Sequence, residues 1–575
     1  MILILGGTTE GRLAVDICEQ AGKPFYYSTK SALQKVELHH GVRLTGAMDS
    51  SEMQVFCKEH GIACIIDAAH PFAENLHQTI ATVGLPVIRL QRSFGERIEG
   101  VTYCKDYADA MEKLKEQPLR CLLALSGVNT MAKLAPYWRT HKTIFRILSR
   151  AESMELVQQN QFPTSNLLFY PADCTLPTKE AEKTLMASIG CDAILTKESG
   201  DSGGFDAKVQ AALELGLKVF VVEHPELPDT WTYVTGKHGL RRAIEQLAPA
   251  FFPLKTGFTT GACATAAVKA ALLSLLYDDT PEEVAFALPD GEIMTIPVTL
   301  EEKGVASVVK DFSDDPDVTK GCKITARLTP GSQGIRFLKG EGVGTVTLPG
   351  LGIPVGEPAV NSTPRQMMMN EIRALTSADF DVTIAVEHGE ELAQKTFNPR
   401  VGVIGGISII GTSGIVSPLS HEAFVQSITR ELEVAKAIGC REIGLVSGLK
   451  SEEALRREKD IRCIHYGNFI GESLKAAHQV GFEKVTLAIM IGKAVKLAEG
   501  HLDTHSHKVV MNKAFLKEVA GPDAGKIDQI TLARELWGLM PVSFFEQIKS
   551  LCYNHCKTVF PEGELEIRLI CDIPS

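Results

Sequence analysis

The chain has 575 residues, which at about 150 residues per domain predicts roughly four domains and excludes a single small core. Its composition, with 45% hydrophobic and 22% charged residues, is that of a globular protein and excludes a disordered or collagen-like chain. The formal net charge of -11 provides no overall basic field, so we expect neither nucleic acid nor a membrane as a partner.

The first half of the chain alternates short apolar runs with amphipathic segments, a pattern typical of parallel strands joined by helices. Two Rossmann-like units therefore fit residues 1–250, with a division expected near residues 110–120. The first predicted helix spans residues 10–21, and the predicted strands are 1–5, 25–28, 62–67, 87–90, 121–125, 194–196 and 219–222.

The second half changes character near residues 247–255, where Pro249 and Pro253 interrupt the alternation. Strand-rich segments with many Gly and Pro turns between residues 284 and 386 predict an α+β domain over 251–397. After Asn398-Pro399 the alternation returns, which predicts a further α/β domain over 398–575. Its predicted strands are 401–404, 442–446, 463–466 and 485–489, and the fold class of the whole chain is α/β.

Two features bear on the cellular compartment. The 14 cysteines are scattered without a CxxC pair, which favours reduced thiols in a cytoplasmic protein. Residues 401–420 carry no charge and are long enough to resemble a membrane span. Five glycines and Pro418 within this stretch instead favour short buried strands joined by turns, so we expect a soluble protein.

A glycine-rich segment follows the first predicted strand and opens the first helix. Two glycines permit a tight turn, and the exposed N–H groups of a helix N-terminus favour a phosphate. A plain strand-to-helix turn is the alternative, because the segment is not GxGxxG. Ser28 replaces the usual acidic residue at the end of the second strand, which leaves both NADPH and NADH open. The segment consists of Gly6, Gly7, Thr8, Thr9, Glu10 and Gly11.

Polar residues follow three later strands of the first half, at the sheet edge where α/β proteins bind ligands. His70 can protonate or hydrogen-bond a substrate near neutral pH. The alternative is that Asp67 caps the next helix while His70 packs in a turn. The other two edge segments are Ser126-Gly127 and residues 197–204, a loop rich in glycine and hydroxyl residues that is able to hold an anion.

Several motifs in one order resemble the precorrin-6A reductase family of cobalamin biosynthesis, over about residues 1–245. They are GGTTE at 6–10, DxxHPFA at 67–73, Arg89-Leu90 with Arg92, and TKxSG at 196–200 followed by Lys208. The resemblance implies two Rossmann-like domains, a reduced nicotinamide at the first loop and a tetrapyrrole in the cleft, where a carbon–carbon double bond is reduced. Together with the pattern it assigns His70 as catalytic, Gly6, Gly7, Thr8, Thr9, Glu10, Ser28, Ser126 and Gly127 to the cofactor, and Asp67, Arg89, Lys197, Ser199 and Gly200 to the substrate.

A threonine pair precedes an apolar helix predicted at residues 264–276. Thr259 and Thr260 can cap this helix and offer hydroxyl and N–H groups to a carboxylate or phosphate. Cys263 has no base beside it in the sequence, and packing is a better interpretation than a nucleophile.

No metal site is expected in the second half. The aspartates between 311 and 317 lack the glycine and distal glutamate of an EF-hand. His501, His505 and His507 suggest zinc because 501 and 505 share a helical face, but no Glu follows His501 as in HExxH. Cys552, His555 and Cys556 are too loosely patterned to support a site.

Seven motifs in the second half look like the cobalt-precorrin-5B methyltransferase family. They are GFTTGxCA at 257–264, DDPDVTxG at 314–321, GEGVGTVT at 340–347, PVGEPAxN at 354–361, NPRxGxxGGISIxGTxGIV at 398–416, GNFxGE at 467–472 and GKxVKLAxG at 492–500. The resemblance implies methylation of ring carbon 1 with S-adenosyl-L-methionine. We expect this cofactor against residues 401–414 and 467–471, including Gly405, Gly406, Gly411, Thr412, Gly467 and Asn468. Thr259, Thr260 and Lys493 are expected to meet acetate or propionate groups, and His505 is a candidate base, with a packed histidine as the alternative.

The two resemblances fit one route, because the implied product of the second half, cobalt-precorrin-6A, is the implied substrate of the first. A bifunctional enzyme that acts on cobalt-corrinoid tetrapyrroles is therefore predicted. A non-catalytic tetrapyrrole carrier and an unrelated NAD(P)H reductase are the alternatives, and the sequence leaves a homodimer open.

Overall fold

The computed structural model describes residues 1–30, 34–92, 97–170, 178–200, 204–418, 420–505 and 509–571. The chain divides into two compact units, Met1–Pro253 and Leu254–Ser575. The first unit contains parallel sheets and the second contains mixed sheets beside a parallel one, so the α/β class is confirmed.

The first unit is built from twelve described strands and nine described α-helices. The strands are β1 (Ile2–Leu5), β2 (Phe25–Thr29), β3 (Gly41–Thr45), β4 (Cys64–Asp67), β5 (Val87–Gln91), β6 (Val101–Cys104), β7 (Leu122–Ala124), β8 (Thr143–Ile147), β9 (Leu167–Phe169), β10 (Ala193–Lys197), β11 (Lys218–Val222) and β12 (Thr232–Thr235). The helices are α1 (Thr9–Glu19), α2 (Ser50–Glu59), α3 (Glu74–Ala81), α4 (Tyr107–Lys115), α5 (Ala135–Trp138), α6 (Ala151–Gln159), α7 (Lys179–Ile189), α8 (Phe205–Glu214) and α9 (Gly236–Leu247).

These strands form two six-stranded parallel sheets, in the orders β12-β5-β4-β1-β2-β3 and β6-β11-β10-β7-β8-β9. In the first sheet the chain crosses from one side of β1 to the other between β3 and β4, and the same reversal occurs beside β7 in the second. Such a reversal opens a crevice at the carboxyl ends of the two flanking strands. The central strands β1 and β4 are buried throughout because helices cover both faces.

The change from the first sheet to the second lies between β5 and β6, ahead of the expected residues 110–120. β6 is an edge strand of the second sheet, and only Cys104 of its four residues is buried, so its apolar signal is weak. β12 then returns to the first sheet, where it pairs with β5 in the register Val234 to Leu90.

The second unit is built from fifteen described strands and eleven described α-helices. The strands are β13 (Gly257–Phe258), β14 (Glu283–Ala287), β15 (Ile293–Pro297), β16 (Thr299–Glu302), β17 (Val305–Val309), β18 (Lys323–Pro330), β19 (Ile335–Lys339), β20 (Thr345–Val346), β21 (Phe380–Val386), β22 (Val403–Ile404), β23 (Ile415–Val416), β24 (Glu442–Val446), β25 (Cys463–His465), β26 (Lys484–Met490) and β27 (Glu564–Ile570). The helices are α10 (Thr260–Tyr277), α11 (Ser362–Leu375), α12 (Gly389–Ala393), α13 (His421–Ala437), α14 (Leu449–Glu458), α15 (Ile470–Val480), α16 (Ile491–Ala498), α17 (Lys513–Ala520), α18 (Ala524–Ile527), α19 (Leu536–Leu539) and α20 (Val542–Lys557).

A mixed five-stranded sheet, β16-β17-β18-β21-β19, and the buried helix α10 form one core of this unit. Ile407, Ile409 and Ile415 belong to the same core, although the sequence predicted a new domain at 398. β22 pairs with β20, β23 pairs with β13, and Asn398–Val401 is a single 3₁₀ turn. Asn398-Pro399 therefore turns the chain without ending the domain, because Pro fits the first turn of a helix.

The last part of the unit is a parallel sheet in the order β25-β24-β26-β27, with its own core. The chain reverses direction across this sheet between β25 and β26, so a crevice opens at the carboxyl ends of β24 and β26. β27 follows the long helix α20 and was not predicted, since Glu564, Glu566 and Arg568 interrupt its apolar residues.

In the described part of the chain, α10 is long and apolar enough to cross a membrane, and 72% of the segment is buried inside the protein. Residues 401–418 form the two short strands β22 and β23 joined by glycine turns, as expected. Leu419, within the predicted stretch, lies outside the described residues.

Candidate functional site

The turn after β1 is formed by Gly6 and Gly7, and each glycine is required for a different reason. A Cβ on Gly6 would lie 2.4 Å from Cε2 of Tyr27. Gly7 has a φ of +99°, and its N–H donates to the Tyr27 hydroxyl at 3.1 Å. Gly11, one turn into α1, would place a Cβ 2.9 Å from Cα of Gly6, so it permits the helix to pack closely on the turn. Gly6 and Gly11 are therefore required by close packing, and Gly7 by its positive φ.

Thr8 connects the two loops that flank the crevice of the first sheet. Its hydroxyl accepts a hydrogen bond from N–H of Gly11 at 3.0 Å and donates to the carbonyl of Ala68 at 2.6 Å. Thr9 is exposed and follows at the first position of α1. The Thr8 hydroxyl is therefore engaged within the protein.

Glu10 is held by Arg92 and is not free for a cofactor. The two carboxylate oxygens of Glu10 each lie 3.0 Å from a nitrogen of Arg92. Burial raises the pKa of Glu10, but the hydrogen bonds from Arg92, Thr8 and the backbone, together with the charge of Arg92, outweigh it, and the net pKa lies below the usual range. Arg92 also donates to the carbonyl of Ser199 at 2.8 Å, so it joins the first sheet to the loop after β10 of the second.

Asp67 and Arg89 were expected to contact the substrate, and the structure buries both. Asp67 is 0% exposed, and its Oδ2 lies 2.8 Å from Arg89 and 3.0 Å from Nδ1 of His77. Arg89 also donates to the carbonyl of Ala69 at 3.0 Å. The ion pair therefore holds the loop that carries His70, because buried charges require fixed partners.

His70 is exposed at the crevice. Its Nδ1 accepts the N–H of Phe72 at 3.2 Å, which leaves Nε2 as the N–H that faces a ligand. Loss of hydration, together with the positive charges of Arg92 and Lys197, lowers the pKa of His70 to about 4. At neutral pH the imidazole is uncharged and acts as a hydrogen-bond donor.

The loops of the second sheet lie at the carboxyl ends of β7 and β10. Ser126 is buried and its hydroxyl lies 2.8 Å from that of Thr130, while Gly127 has a φ of +86° and space for a ligand beside it. Lys197 ends β10, and its Nζ lies 4.9 Å from the ring centre of Phe72. Gly200 is buried and has a φ of +67°, and the next three residues lie outside the described part.

Two of the glycines expected to approach S-adenosyl-L-methionine, Gly406 and Gly411, pack against other parts of the protein instead. A Cβ on Gly406 would lie 2.4 Å from the carbonyl oxygen of Gly342, and one on Gly411 would lie 2.2 Å from Oγ1 of Thr259. Gly405 is exposed, and a Cβ on it would lie 3.6 Å from Nζ of Lys339, while Thr412 follows in the same loop. Gly406 and Gly411 are therefore explained by packing in the α+β core.

Thr259 and Thr260 are also engaged within the protein. Thr259 caps α10 through a hydrogen bond from N–H of Ala262 at 3.1 Å, as predicted. The Thr260 hydroxyl accepts the N–H of Ile410 at 2.9 Å. Both side chains are buried, so neither hydroxyl is presented to a carboxylate on the surface.

Three loops of the last sheet meet at its carboxyl edge and bring Gly467, Asn468, Lys493 and His505 into one region. Lys493 donates to the carbonyl of Gly467, and the carbonyl of Asn468 accepts the N–H of Thr504 at 3.0 Å. Burial, and then the charge of Lys496, lower the pKa of Lys493 to about 8. His505 is half-buried, and its N–H donates to Asp503 at 3.1 Å.

The residues considered for metal binding have other roles where they are described. Asp311 accepts the N–H of Phe258 at 2.8 Å, and Asp317 pairs with the buried Lys310 at 2.8 Å. Cys552 and Cys556 are buried on α20, where burial raises the pKa of both thiols. Cys263 is fully buried, and His507 lies outside the described residues.

Residues 249–418 match the family model CbiD, and residues 1–247 match the model described as Precorrin-6x reductase CbiJ/CobK. The cobalt-precorrin-5B C(1)-methyltransferase of Prosthecochloris aestuarii (strain DSM 271 / SK 413) is 41% identical over 345 residues, covering 55% of this chain and 94% of the relative. The chain belongs to the cobalt-precorrin-5B C(1)-methyltransferase family. The reductase match adds a second cobalamin-biosynthesis part to this member of the family.

A second relative and two solved structures are similar to parts of this methyltransferase-family chain. The cobalt-precorrin-5B C(1)-methyltransferase of Brucella abortus (strain S19) is 43% identical over 297 residues, covering 49% of this chain and 81% of the relative. A solved CobK precorrin-6A reductase is 21% identical with a TM-score of 0.36, covering 43% of this chain and 97% of that one. The solved CbiD of Archaeoglobus fulgidus is 30% identical with a TM-score of 0.26, and the match covers 44% of this chain and 83% of that one.

Three residues at these edges were not selected from the sequence of this methyltransferase-family member. Arg43 on β3 donates to Oγ1 of Thr29 at 3.4 Å, at the end of β2. Gly448 follows β24 and Gly492 follows β26, and a Cβ on Gly448 would meet no described atom within 4 Å. The apolar run at 442–446 followed by Ser447-Gly448 could have indicated from the sequence that Gly448 lies at the carboxyl end of a strand. The reversal that makes this edge a crevice is visible only in the strand order.

Proposed function

We propose that the chain is a bifunctional enzyme of cobalamin biosynthesis. The second unit transfers a methyl group from S-adenosyl-L-methionine to ring carbon 1 of cobalt-precorrin-5B and gives cobalt-precorrin-6A. The first unit reduces a carbon–carbon double bond of cobalt-precorrin-6A with a nicotinamide cofactor and gives cobalt-precorrin-6B. The observation that carries the proposal is the presence of both family matches, in adjacent parts of one chain, for consecutive steps.

The nicotinamide site is proposed at the crevice between β1 and β4. Its support is the strand order of the first sheet together with the Gly6-Gly7 turn, which leads directly into the N-terminus of α1. When bound, the reduced cofactor supplies the hydride. Ser28 is buried and its carbonyl accepts the N–H of Gly6 at 3.0 Å, so it holds the turn.

NADPH is favoured over NADH at this site. The second strand ends in Ser28-Thr29-Lys30 without a carboxylate for the ribose hydroxyl, and Arg43 lies beside Thr29. An arginine at this place can pair with a 2′-phosphate through two donors.

The substrate cleft of the reductase is proposed between the carboxyl edges of the two sheets. The neutral His70 donates a hydrogen bond through Nε2, while the buried pair of Asp67 and Arg89 fixes its loop. Arg92 holds the loop after β10 against the cofactor turn. These contacts orient a bound tetrapyrrole beside the nicotinamide, and positioning of two reactants supplies much of such a rate enhancement.

The site for S-adenosyl-L-methionine is proposed at the crevice between β24 and β26, with Gly448, Gly467 and Gly492 around it. The support is the strand order and the open space at Gly448. The bound cofactor supplies an electrophilic methyl group. Lys493 fixes the Gly467 loop through its carbonyl, and its positive charge lies near the edge where carboxylates of the substrate would dock.

This placement is tested by Gly448→Val. Gly448 has an extended backbone with a φ of 166°, which any residue adopts, so the variant should fold and fill the crevice. We expect S-adenosyl-L-methionine binding, followed by calorimetry, to weaken at least about tenfold, which corresponds to about 1.4 kcal/mol. Gly525→Val, outside these loops, is the control, and unchanged binding in Gly448→Val would reject the placement.

The two activities are tested by mass spectrometry after anaerobic incubation of cobalt-precorrin-5B with the full-length protein. S-adenosyl-L-methionine alone should add one methyl group, and addition of NADPH should add two further hydrogens. Binding of both cofactors without any mass change would instead support a tetrapyrrole carrier. NADPH oxidation with other acceptors but not with the corrinoid would support an unrelated reductase.

A further inference from the structure

Three positive charges act on His70, and two of them are neutralised by a carboxylate. Arg92 is paired with Glu10, and Arg89 is paired with the buried Asp67. The third is Lys197, whose ammonium forms no hydrogen bond or ion pair with any of the residues that the structure describes. Lys197 is therefore the one of these three cations that can exchange a proton.

Lys197 lies at the place where the two sheets of the first unit face each other. It is the last residue of β10, two residues before Ser199, whose carbonyl is bound by Arg92. Its Nζ lies over the ring of Phe72 at 4.9 Å, and the N–H of Phe72 donates to His70. The amine of the second sheet thus reaches Phe72, beside His70 in the loop after β4 of the first.

We propose that Lys197 is the proton donor for reduction of the tetrapyrrole double bond, an assignment that rests on the proposed reductase function. Hydride from the reduced nicotinamide forms a C–H bond at one carbon of the double bond. The electron pair displaced from that double bond takes a proton from Lys197 at the other carbon. The broken N–H bond leaves its electron pair on nitrogen, and water then reprotonates the amine.

Lys197 and His70, the two groups in the cleft that can carry a proton, differ in their protonation state at neutral pH. The pKa of His70 is lowered to about 4, so the imidazole holds no extra proton to give. Burial, and then the charge of Lys133, lower the pKa of Lys197 to about 8, and Glu74 opposes this shift. A proton donor with a pKa near the working pH is both charged and able to release its proton.

The test compares full-length variants in single-turnover reduction of cobalt-precorrin-6A by NADPH between pH 6 and pH 10. Lys197→Met should lower the rate about 100-fold or more, while NADPH binding, followed by fluorescence, stays unchanged. In the wild type the rate should fall above about pH 8, as Lys197 loses its proton. Lys197→Arg, which does not titrate in this range, should be slow at every pH and lack that fall.

Two further variants serve as controls. Lys133→Met removes a neighbouring charge that lowers the pKa of Lys197, so it should keep activity and move the fall to higher pH. His70→Asn retains a hydrogen-bond donor and should keep more activity than Lys197→Met. Circular dichroism of each variant excludes loss of folding as the cause.

The outcomes separate the two proposals. If the wild type does not oxidise NADPH with cobalt-precorrin-6A, the reductase function itself fails. If the wild type is active and Lys197→Met stays within about threefold of it, the assignment of Lys197 is overturned. The same conclusion follows if the fall above pH 8 persists in Lys197→Arg or if only His70→Asn abolishes reduction.

Discussion

The Oε2 atom of Glu452 lies 2.6 Å from Nε2 of His465, and both belong to a charged cluster at the last sheet of the second unit. Arg400 lies 2.7 Å from the same carboxylate and 4.0 Å from Glu431 on α13. Arg400 precedes β22, so the cluster joins the α+β core to the parallel sheet within this unit. Glu431 is only 5% exposed, and this burial has a consequence for stability.

Stability of the second unit should depend on the protonation of Glu431. Burial raises its pKa from 4.5 to about 7, although Arg400 and Arg462 oppose the shift. The folded state therefore binds a proton that the unfolded state releases, and stability decreases as the pH rises from about 4.5 to about 7. Glu431→Gln, which stays neutral, should remove up to about 3 kcal/mol of this decrease.

Urea unfolding between pH 5 and pH 8 measures this difference, with Trp537 as a local reporter. Trp537 is the only tryptophan of the second unit. In a protein that carries Trp138→Phe and Trp231→Phe, all tryptophan fluorescence therefore comes from Trp537. Glu433→Gln, an exposed residue on the same helix, is the matched control. Parallel pH profiles for Glu431→Gln and Glu433→Gln would contradict the expectation.

Glycines 405 and 406 should differ sharply in their tolerance of alanine. A Cβ on Gly406 would collide with the backbone of Gly342 at 2.4 Å. A Cβ on Gly405 would make only an ordinary contact with Nζ of Lys339 at 3.6 Å, and the strain there comes from the positive φ of +77°. We expect Gly406→Ala to cost about 3 kcal/mol or more and Gly405→Ala about 1 kcal/mol. Unfolding followed at Trp537 measures both, and equal losses would show that the close approach is not what requires glycine at 406.

The predicted strands in the centre of each parallel sheet agree with the structure, because buried central strands are continuous apolar runs. The strands β6 and β27 were not predicted, because their residues are partly exposed or charged and form no continuous apolar run. The Gly6-Gly7 turn was recognisable from its position between a strand and a helix. The burial of Asp67 and the packing of Gly406 were not, because their partners, Arg89 and Gly342, are set by tertiary pairing.

Loss of the buried Asp67 charge should destabilise the first unit. Asp67→Asn leaves Arg89 buried beside a neutral amide, and breaking a buried ion pair costs about 3–5 kcal/mol. Trp231 reports the change directly, because its ring centre lies 6.4 Å from that of His77, the third member of the cluster. Glu74→Gln removes an exposed ion pair at the start of α3 and should cost less than about 1 kcal/mol. Similar losses in the two variants would contradict a structural role for Asp67.

Arg43 should set the preference between NADPH and NADH. Its guanidinium lies beside Thr29 at the end of β2, where the 2′-phosphate of NADPH would be placed. Arg43→Gln removes a charge-assisted contact, so the Kd for NADPH should rise about 10-fold to 100-fold while that for NADH changes little. Fluorescence titration of the reduced cofactors measures both constants without any corrinoid.

Comparison of NADPH with NADH binding is the internal control for Arg43→Gln. Arg43 also lies 5.9 Å from the ring centre of Tyr27, which supports the Gly7 turn, so a packing defect would weaken both cofactors together. Arg43→Lys retains the charge but not the planar fork, and it should recover part of the preference. A preference that is the same in the wild type and Arg43→Gln would remove Arg43 from the cofactor site, and equal weakening of NADPH and NADH would assign it to the turn alone.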